Sequence, residues 1–212
     1  MSLLLSVTKR TDTSLLDLMN RHYSKPKGFV GRNICYAITY NDIYYGHIVG
    51  GSSTMHLAGR DDFFNLTKDT KLENLKRIVN NIFYHIEKHN NKYPTRNFTT
   101  KVLRSFCSTV VNDWEEKYGD EVIGFESLVE LPRTGELYLK DKWTLVGQTK
   151  GFTCKRTKGK GTDNWSGKRI WDTKNLKPKS KIRNDQLTAT TFFYHPAKNR
   201  DSPTPFVAGV WA

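Results

Sequence analysis

Residues 97–119, NFTTKVLRSFCSTVVNDWEEKYG, most strongly constrain what this chain can fold into. Apolar side chains recur in this stretch at the three- and four-residue spacing that places them on one face of a helix. These side chains are Leu103, Phe106, Cys107, Val110, Val111 and Trp114. Thr99 or Thr100 is expected to cap the start of the helix, and Gly119 is expected to end it. The stretch therefore predicts one long amphipathic helix.

The chain before the long helix begins with a shorter helix and a hairpin. A helix capped within Thr11–Thr13 is predicted to run to about His22 and Tyr23. Residues 33–53 contain two runs of aromatic and β-branched residues around Asn41 and Asp42. Two such runs around a short polar turn are typical of a β-hairpin.

A loop or short helix at residues 55–66 and a strand at residues 72–81, LENLKRIVNN, are predicted next. The basic pair Lys76-Arg77 lies in the middle of this strand. A lone charge in a protein core costs several kcal/mol unless it is paired or reaches a pocket. Either the strand is an edge strand, or Arg77 points into a site.

The elements after the long helix complete a pattern of alternating strands and helices. Residues 121–130 predict a strand, residues 135–143 a short helix or turn, and residues 144–152 a final strand. This order predicts an α/β fold with a mixed central sheet flanked by helices. The expected division is a folded domain at 1–150 and a basic, aromatic-containing extension at 151–212. The tail from Asn184 is expected to be loosely attached.

Composition limits the functions that this chain can have. A formal net charge of +13 on 212 residues favours a polyanionic partner, although a basic surface that only aids solubility is the alternative. No segment approaches the roughly 18–20 apolar residues that a membrane span needs, so no membrane association is expected. The three cysteines are far apart, which argues against a zinc cluster or a disulfide scaffold. A reducing, cytoplasmic location is therefore predicted, in the host cytoplasm if the protein is viral.

Basic and aromatic residues alternate in the extension. The cations that could each neutralise a DNA phosphate are Lys155, Arg156, Lys158, Lys160, Lys168 and Arg169. Trp165 and Trp171 could stack on a base or open a base step, which an enzyme that acts on a base inside a duplex needs. Alternatively, both tryptophans anchor the extension to the core.

The order of elements resembles the GNAT acyltransferase fold, and several motifs resemble one branch of it. LKRIV, RNFTTKVL, GFESLVE and GELYLKDKWTLVGQTKG, together with His22-Tyr23, are similar to the Mom family of phage DNA-modification proteins. IVNNIFYHI, DWEEKYG and ESLV are similar to the DruA-type domain of anti-phage defence systems. The resemblance covers roughly residues 21–151. It implies a transferase that adds a carbamoylmethyl group to the exocyclic amine of adenine in double-stranded DNA, so that phage or mobile-element DNA escapes restriction.

The resemblance also implies a set of site residues and a small-molecule group donor. The implied residues are His22, Tyr23, Arg77, Thr99 or Thr100, Glu126 and Tyr138. The acid of this strand is an aspartate in the Mom family and Glu126 here. The donor loop of most GNAT enzymes, Q/R-x-x-G-x-G/A, is absent, because KYPTRNFTTKVL offers Arg96 but no glycine. The donor therefore stays open, with an acyl-CoA-like molecule or a role for iron both considered.

The chemistry of these residues fits such a transfer, and each has a simpler alternative. Glu126 could act as the base once burial raises its pKa, or it could pair with a lysine at the sheet surface. Tyr138 could give a proton to the leaving group, or it could be a packing tyrosine. Arg77 could bind a carboxylate or phosphate with both guanidinium nitrogens, or it could pair with Glu73 or Glu126. His22 with Tyr23 could bind a metal or move protons, or it could do neither. The alternative function is a DNA-binding protein of a defence system that has the GNAT-like fold without the chemistry.

Overall fold

The computed structural model describes residues 2–55, 57–129, 133–149 and 190–196. The strands are β1 (Leu3–Thr8), β2 (Asn33–Tyr40), β3 (Ile43–Ser52), β4 (Ile78–Ile86), β5 (Gly124–Val129), β6 (Thr144–Thr149) and β7 (Thr190–Pro196). The helices are α1 (Thr13–Arg21), α2 (Ala58–Phe63), α3 (Lys68–Lys76), α4 (Phe98–Tyr118) and α5 (Glu136–Lys140). The predicted α/β fold with a mixed, helix-flanked sheet is confirmed.

The strands form one sheet in the order β1-β2-β3-β4-β5-β7-β6. Every neighbouring pair is antiparallel except β4 and β5, which run parallel. The parallel ladder extends only from the pair Ile78 and Gly124 to the pair Asn80 and Glu126. β4 continues to Ile86, so the two strands separate beyond this short ladder and leave an opening in the middle of the sheet.

A β-bulge interrupts β4 where it begins to separate from β5. On the side of β3, Val49 pairs with Phe83 and Gly50 pairs with Asn81, so Ile82 is the extra residue. An extra residue reverses the alternation of side chains along a strand. Val79 before the bulge and Tyr84 after it therefore pack against the same core, although an unbroken strand would place them on opposite faces.

Helices cover both faces of the sheet. On one face α4 buries Phe106, Val110 and Trp114 against the sheet, which contributes Tyr36 and Phe125 to the same core. On the other face Leu15, Leu18 and Met19 of α1 pack with Cys35, Val49 and Phe83. Each large apolar side chain buried in this way stabilises the fold by about 1.5–3 kcal/mol. None of the helices in the described ranges has the length and apolar character to cross a bilayer.

The turns and caps confirm part of the predicted pattern. Asn41 and Asp42, with φ angles of 49° and 62°, form the turn of the predicted hairpin. Gly119, with a φ angle of 72°, ends α4 as predicted. The predicted cap at Thr99 or Thr100 is wrong, because Asn97 occupies the N-cap position and makes no side-chain capping bond.

Two predictions about the strands are also wrong. Residues 72–76 are helical, since a capping box between Thr67 and Thr70 begins α3, and Arg77 caps the end of this helix before β4 starts. The tail beyond Asn184 is not loosely attached throughout, because β7 lies between β5 and β6. The division of the chain at residue 150 otherwise stays a prediction.

Candidate functional site

A cleft of about 730 Å³ opens where β4 and β5 separate. Its walls come from five parts of the chain: residues 81–86 of β4, residues 127–129 of β5, residues 21–24 at the end of α1, Tyr93 with Thr99 of α4, and residues 133–138 leading into α5. Small-molecule sites in proteins have volumes of about 300–1,000 Å³ and are concave and largely preformed. The cleft is therefore large enough to hold a small-molecule ligand.

Asn81 lies at the base of this cleft, on the β4 bulge, and is almost completely buried. Its side-chain nitrogen donates to the main-chain oxygens of Val49 and Phe83, both at 3.3 Å. Carbonyl oxygens can only accept hydrogen bonds, so these two contacts fix which way the amide faces. The Oδ1 atom of Asn81 consequently points toward α5.

Tyr138 of α5 meets this amide oxygen. Its hydroxyl group donates to Oδ1 of Asn81 at 2.7 Å. Burial raises the pKa of Tyr138 above its usual value, while the hydroxyl of Ser127 opposes that rise. The phenol is therefore neutral at physiological pH, and it is a proton donor held in one place at the wall of the cleft.

Two histidines line the outer part of the cleft. His22 has its Nδ1 atom 2.8 Å from Oγ of Ser24, and its ring lies 5.5 Å from that of His85. Burial, together with His85 and Arg133, lowers the pKa of His22 to about 4. Burial also lowers the pKa of His85. Both imidazoles are therefore uncharged at neutral pH, the form that accepts a proton.

Tyr23 and Arg133 lie beside these histidines. The ring of Tyr23 is 4.4 Å from that of His22, and the guanidinium carbon of Arg133 is 5.6 Å from the centre of the Tyr23 ring. Arg133 is exposed and lies near enough to His22 and His85 to lower the pKa of each. This end of the cleft consequently carries positive charge and aromatic surface.

The first turn of α4 forms another wall. Thr99 lines the cleft, and its main-chain oxygen accepts the hydroxyl of Tyr84 at 2.6 Å. Asn97 before it provides no side-chain cap, so the first amide groups of this 21-residue helix keep their capacity to bind an anion. Thr100 belongs to this turn and Arg96 precedes it, but neither is part of the cleft wall.

Glu126 does not reach the cleft. Its side chain is completely buried, with Oε1 accepting the main-chain N–H of Thr54 at 3.1 Å and Oε2 accepting Nη1 of Arg60 at 3.2 Å. Burial raises the pKa of Glu126, and Arg60 opposes this rise. The expected rise in pKa is present, whereas the expected surface lysine is replaced by a buried arginine that the sequence did not indicate.

Arg77 does not point at Glu126, and the prediction that these residues share a cleft is wrong. Its Nη2 atom lies 2.7 Å from a carboxylate oxygen of Glu121, and its Nε atom donates to the main-chain oxygen of the same residue. The physical reason is that α3 extends to Lys76, so Arg77 caps a helix instead of standing inside the strand. The alternative pairing with Glu73 or Glu126 is not formed either.

The predicted site residues thus fall into three groups. The cleft brings together four of them: His22, Tyr23, Thr99 and Tyr138. It leaves out Arg77, Arg96, Thr100 and Glu126. The predicted DNA-binding residues of the extension lie outside the described residues: Lys155, Arg156, Lys158, Lys160, Trp165, Lys168, Arg169 and Trp171. Within the described ranges, no group of three His, Cys, Asp or Glu residues is arranged to hold one metal ion.

Comparisons with known proteins give a fold. No protein-family model matches the sequence, and no curated protein matches it. An IAA acetyltransferase from Bacillus cereus has 12% identity and a TM-score of 0.50, over 92% of this chain and 99% of that one. An acetyltransferase from Bacillus subtilis in complex with CoA has 10% identity and a TM-score of 0.48, over 92% and 99%. A GNAT-family acetyltransferase from Streptococcus pneumoniae has 11% identity and a TM-score of 0.45, over the same shares.

Such low identities bear on architecture alone. The likeness to the Bacillus cereus enzyme extends over nearly the whole of both chains. The resemblance to the Mom family has no counterpart among these three structures and stays a prediction. The expected fold is confirmed: this chain has the GNAT-like fold.

Proposed function

We propose that this protein is a transferase that moves a small group from a donor in the cleft onto the exocyclic amine of adenine in DNA. Tyr138 is the observation that carries the transferase part of this proposal. Its neutral phenol is held by Asn81 at the wall of the cleft. A leaving group that departs with its electron pair needs a proton, and a positioned acid that supplies it raises the rate about 10²–10⁴-fold.

The proposed reaction balances with groups of the cleft alone. The amine nitrogen attacks the carbon of the transferred group, so that a nitrogen–carbon bond forms while the bond from this carbon to the donor breaks. The leaving atom takes the proton of Tyr138, whose hydroxyl must turn from Oδ1 of Asn81 toward the leaving atom. A neutral imidazole, His22 or His85, takes a proton from the amine. Return of that proton to the phenolate through solvent restores both side chains.

The acceptor is assigned from charge and from the resemblance. A net charge of +13 favours a polyanion, and DNA supplies one negative charge per ~1.7 Å of duplex. Arg133 places a positive charge at the outer end of the cleft, beside the two histidines. The choice of adenine and of a carbamoylmethyl group rests on the resemblance to the Mom family. The adenine would have to leave the base stack to reach the cleft.

The donor is proposed to carry an anionic group. The uncapped first turn of α4 offers main-chain N–H groups to such a group where Thr99 meets the cleft. The glycines that allow a pyrophosphate to approach closely in most GNAT enzymes are absent here. A donor other than a standard acyl-CoA is therefore included in the proposal.

One observation favours the second candidate, a DNA-binding protein that has the fold without the chemistry. Glu126, the residue first expected to act as the base, has both carboxylate oxygens engaged by Thr54 and Arg60. A protein that binds DNA without modifying it would need neither a free base nor a donor.

Mass spectrometry of nucleosides tests the proposal. DNA from cells that express the protein should contain an adenosine of increased mass, and the Tyr138→Phe variant should lose most of it. Tyr40→Phe is the matched control, because Tyr40 packs against the core away from the cleft wall. Glu126→Gln should retain the modification per amount of folded protein, since Glu126 does not reach the cleft and an imidazole takes the proton.

The outcomes distinguish the parts of the proposal. Unmodified DNA in cells with the unaltered protein, with DNA binding retained, would favour the second candidate. A modification of equal amount in Tyr138→Phe would remove Tyr138 from the reaction and leave the transferase activity standing.

A further inference from the structure

A second concave site lies at the other end of α1 from the cleft. It has a volume of about 370 Å³ and is formed by the turn between β1 and α1, the start of β2 and the last turn of α4. We call it the basic pocket, and its polar lining includes Lys9, Arg10, Lys117, Thr8, Thr11 and Asn33. No carboxylate contributes to this lining.

Two of the three cations of the basic pocket, Arg10 and Lys117, are held in place without being neutralised. Nη1 of Arg10 donates to the main-chain oxygen of Phe29 at 3.4 Å, and Nζ of Lys117 donates to that of Asn33 at 3.2 Å. Neither they nor Lys9 forms an ion pair within the described part of the chain. Bonds to carbonyl oxygens orient a side chain but leave its charge intact, so the pocket favours an anion.

Nearby carboxylates are engaged elsewhere. Asp12 accepts the main-chain N–H groups of Ser14 and Leu15 as the cap of α1. Asp113 accepts the hydroxyl of Tyr36 at 2.7 Å. Asp120 forms an ion pair with Arg32. Asp12 keeps its negative charge close to Cys35 of the pocket, so it offsets part of the positive charge of the three cations and leaves an excess of positive charge.

The position of the basic pocket relates it to the cleft. Thr11 in the pocket precedes α1, and Arg21 at the end of α1 lines the cleft. A nine-residue helix is about 13 Å long, close to the ~12 Å width of the major groove of B-DNA. These similar lengths are compatible with one duplex that contacts both sites, with a nucleotide of one strand at the cleft and the backbone of the other strand at the pocket.

We propose that the basic pocket binds a backbone phosphate of the DNA duplex whose base enters the cleft. This inference rests on the proposed function for its ligand, and it adds a second contact site that positions the duplex. Phosphate contacts of this kind fix the register of a protein on DNA and carry no sequence information. The pocket should therefore strengthen binding to duplexes of any sequence equally.

The test compares two variants that each lose two positive charges. Lys9→Gln/Lys117→Gln alters the basic pocket, while Lys68→Gln/Lys76→Gln alters exposed positions on α3, away from pocket and cleft. Fluorescence anisotropy with a short duplex of mixed sequence at several salt concentrations measures the affinity and its salt dependence. Loss of one phosphate contact lowers the slope of log K against log salt by about 0.9, which is about an eightfold weaker affinity at 0.1 M salt.

We expect this change in the pocket variant and a smaller one in the control, with equal thermal unfolding midpoints showing that both variants fold. Equal slopes in the two variants would overturn the inference. Binding of inorganic phosphate that is lost in the pocket variant, with duplex binding unchanged, would also overturn it and make the pocket a site for a free anion. If cells contain modified adenosine but the two variants have equal slopes, only the proposal for the basic pocket is overturned. If the slope is reduced in the pocket variant but cells contain no modified adenosine, only the proposed group transfer is overturned.

Discussion

At the scale of single residues, Asn81 links the backbone irregularity that opens the sheet to the side chain proposed to act in the cleft. A β-bulge leaves ladder groups without their regular partners. The amide of Asn81 donates to two main-chain oxygens beside the bulge and accepts from Tyr138. Only a side chain with two donors and an acceptor at this distance from the backbone can make all three contacts.

Replacement of Asn81 by leucine should therefore destabilise the protein. The change leaves two carbonyl oxygens and a phenol without these contacts in a buried region, and each such group costs about 1–3 kcal/mol. We expect the free energy of unfolding in urea to fall by about 3 kcal/mol. The control Asn74→Leu alters an amide that donates to the helical carbonyl of Thr70, and it should change stability by about 0.5 kcal/mol or less. Tyr138→Phe in the Asn81→Leu background should cost less than it does alone; additive losses would contradict the coupling.

Arg60 and Glu126 form the other buried polar contact between distant segments. Arg60 is fully buried and also donates to the main-chain oxygens of Thr54 and Met55. The pair fixes the segment after β3 and the start of α2 against β5. Removing one member of a buried pair leaves the other charge without a partner, which costs about 3–5 kcal/mol.

Arg60→Met should lower the free energy of unfolding by about this amount, and Arg60→Met/Glu126→Gln should recover part of the loss because no buried charge remains. Urea unfolding followed by tryptophan fluorescence measures both. Lys140→Met is a comparison, since this exposed residue pairs with the exposed Glu136 and should cost about 1 kcal/mol or less. If the double variant is less stable than Arg60→Met, the pair does not act as described.

The sequence predicted some of these residues and could not predict others. Tyr138 and Glu126 stood out because they lie on recognisable elements within motifs. Arg60 stood in the charged run GRDD, which resembles a solvated surface, and its partner is 66 positions away. No local pattern records a contact over that distance, because packing of the whole chain creates it.

At the scale of elements, the boundary between α3 and β4 shows why a short apolar run is ambiguous. Leu72, Leu75, Ile78 and Val79 fit the spacing of a helix face as well as a buried strand. The capping box at Thr67 and Thr70 was the available signal for the helix. The hairpin and α4 were predictable, because long periodic segments and positive-φ turn residues leave fewer alternatives. The strands β1 and β7 were not predicted, because they form by pairing with neighbouring strands and no local sequence pattern indicates them.

The position of β7 gives a prediction about truncated chains. β7 pairs with β5 on one side and with β6 on the other. Removal of residues 190–212 therefore exposes one edge of each of these two strands. Open edges invite aggregation and lose the ladder bonds. A chain ending at residue 189 should therefore unfold at a lower temperature and aggregate more than a chain ending at residue 196. Circular dichroism and size-exclusion chromatography measure both properties. Equal behaviour of the two truncations would contradict the pairing of β7.

At the scale of the whole molecule, three histidines on or beside the sheet are uncharged in the folded protein at neutral pH. Burial lowers the pKa of His22, His47 and His85. His47 is fully buried between β2 and β4, with its Nε2 atom making no hydrogen bond in the described part of the chain. A charged imidazole is hydrated in the unfolded chain but not at these buried positions. Each histidine therefore takes up a proton more readily after the protein unfolds.

The stability of the fold should consequently fall in mild acid. An unfolded histidine titrates near pH 6.5, whereas folded His22 titrates near pH 4, so the unfolded chain binds more protons between these values. The stabilisation from neutral His22 is complete above about pH 6.5 and is lost as the pH falls toward 4.

Glu126, with its raised pKa, acts in the opposite direction below neutral pH, so the pH dependence of the unaltered protein alone does not isolate His22. The difference between the unaltered protein and His22→Gln removes the Glu126 contribution. The free energy of unfolding in urea, measured at several pH values, should fall less steeply with decreasing pH in His22→Gln than in the unaltered protein. The difference in slope corresponds to uptake of up to one proton per molecule between pH 4 and 6.5. Parallel curves would mean that His22 takes up a proton equally readily in the folded and unfolded states, so that burial does not lower its pKa.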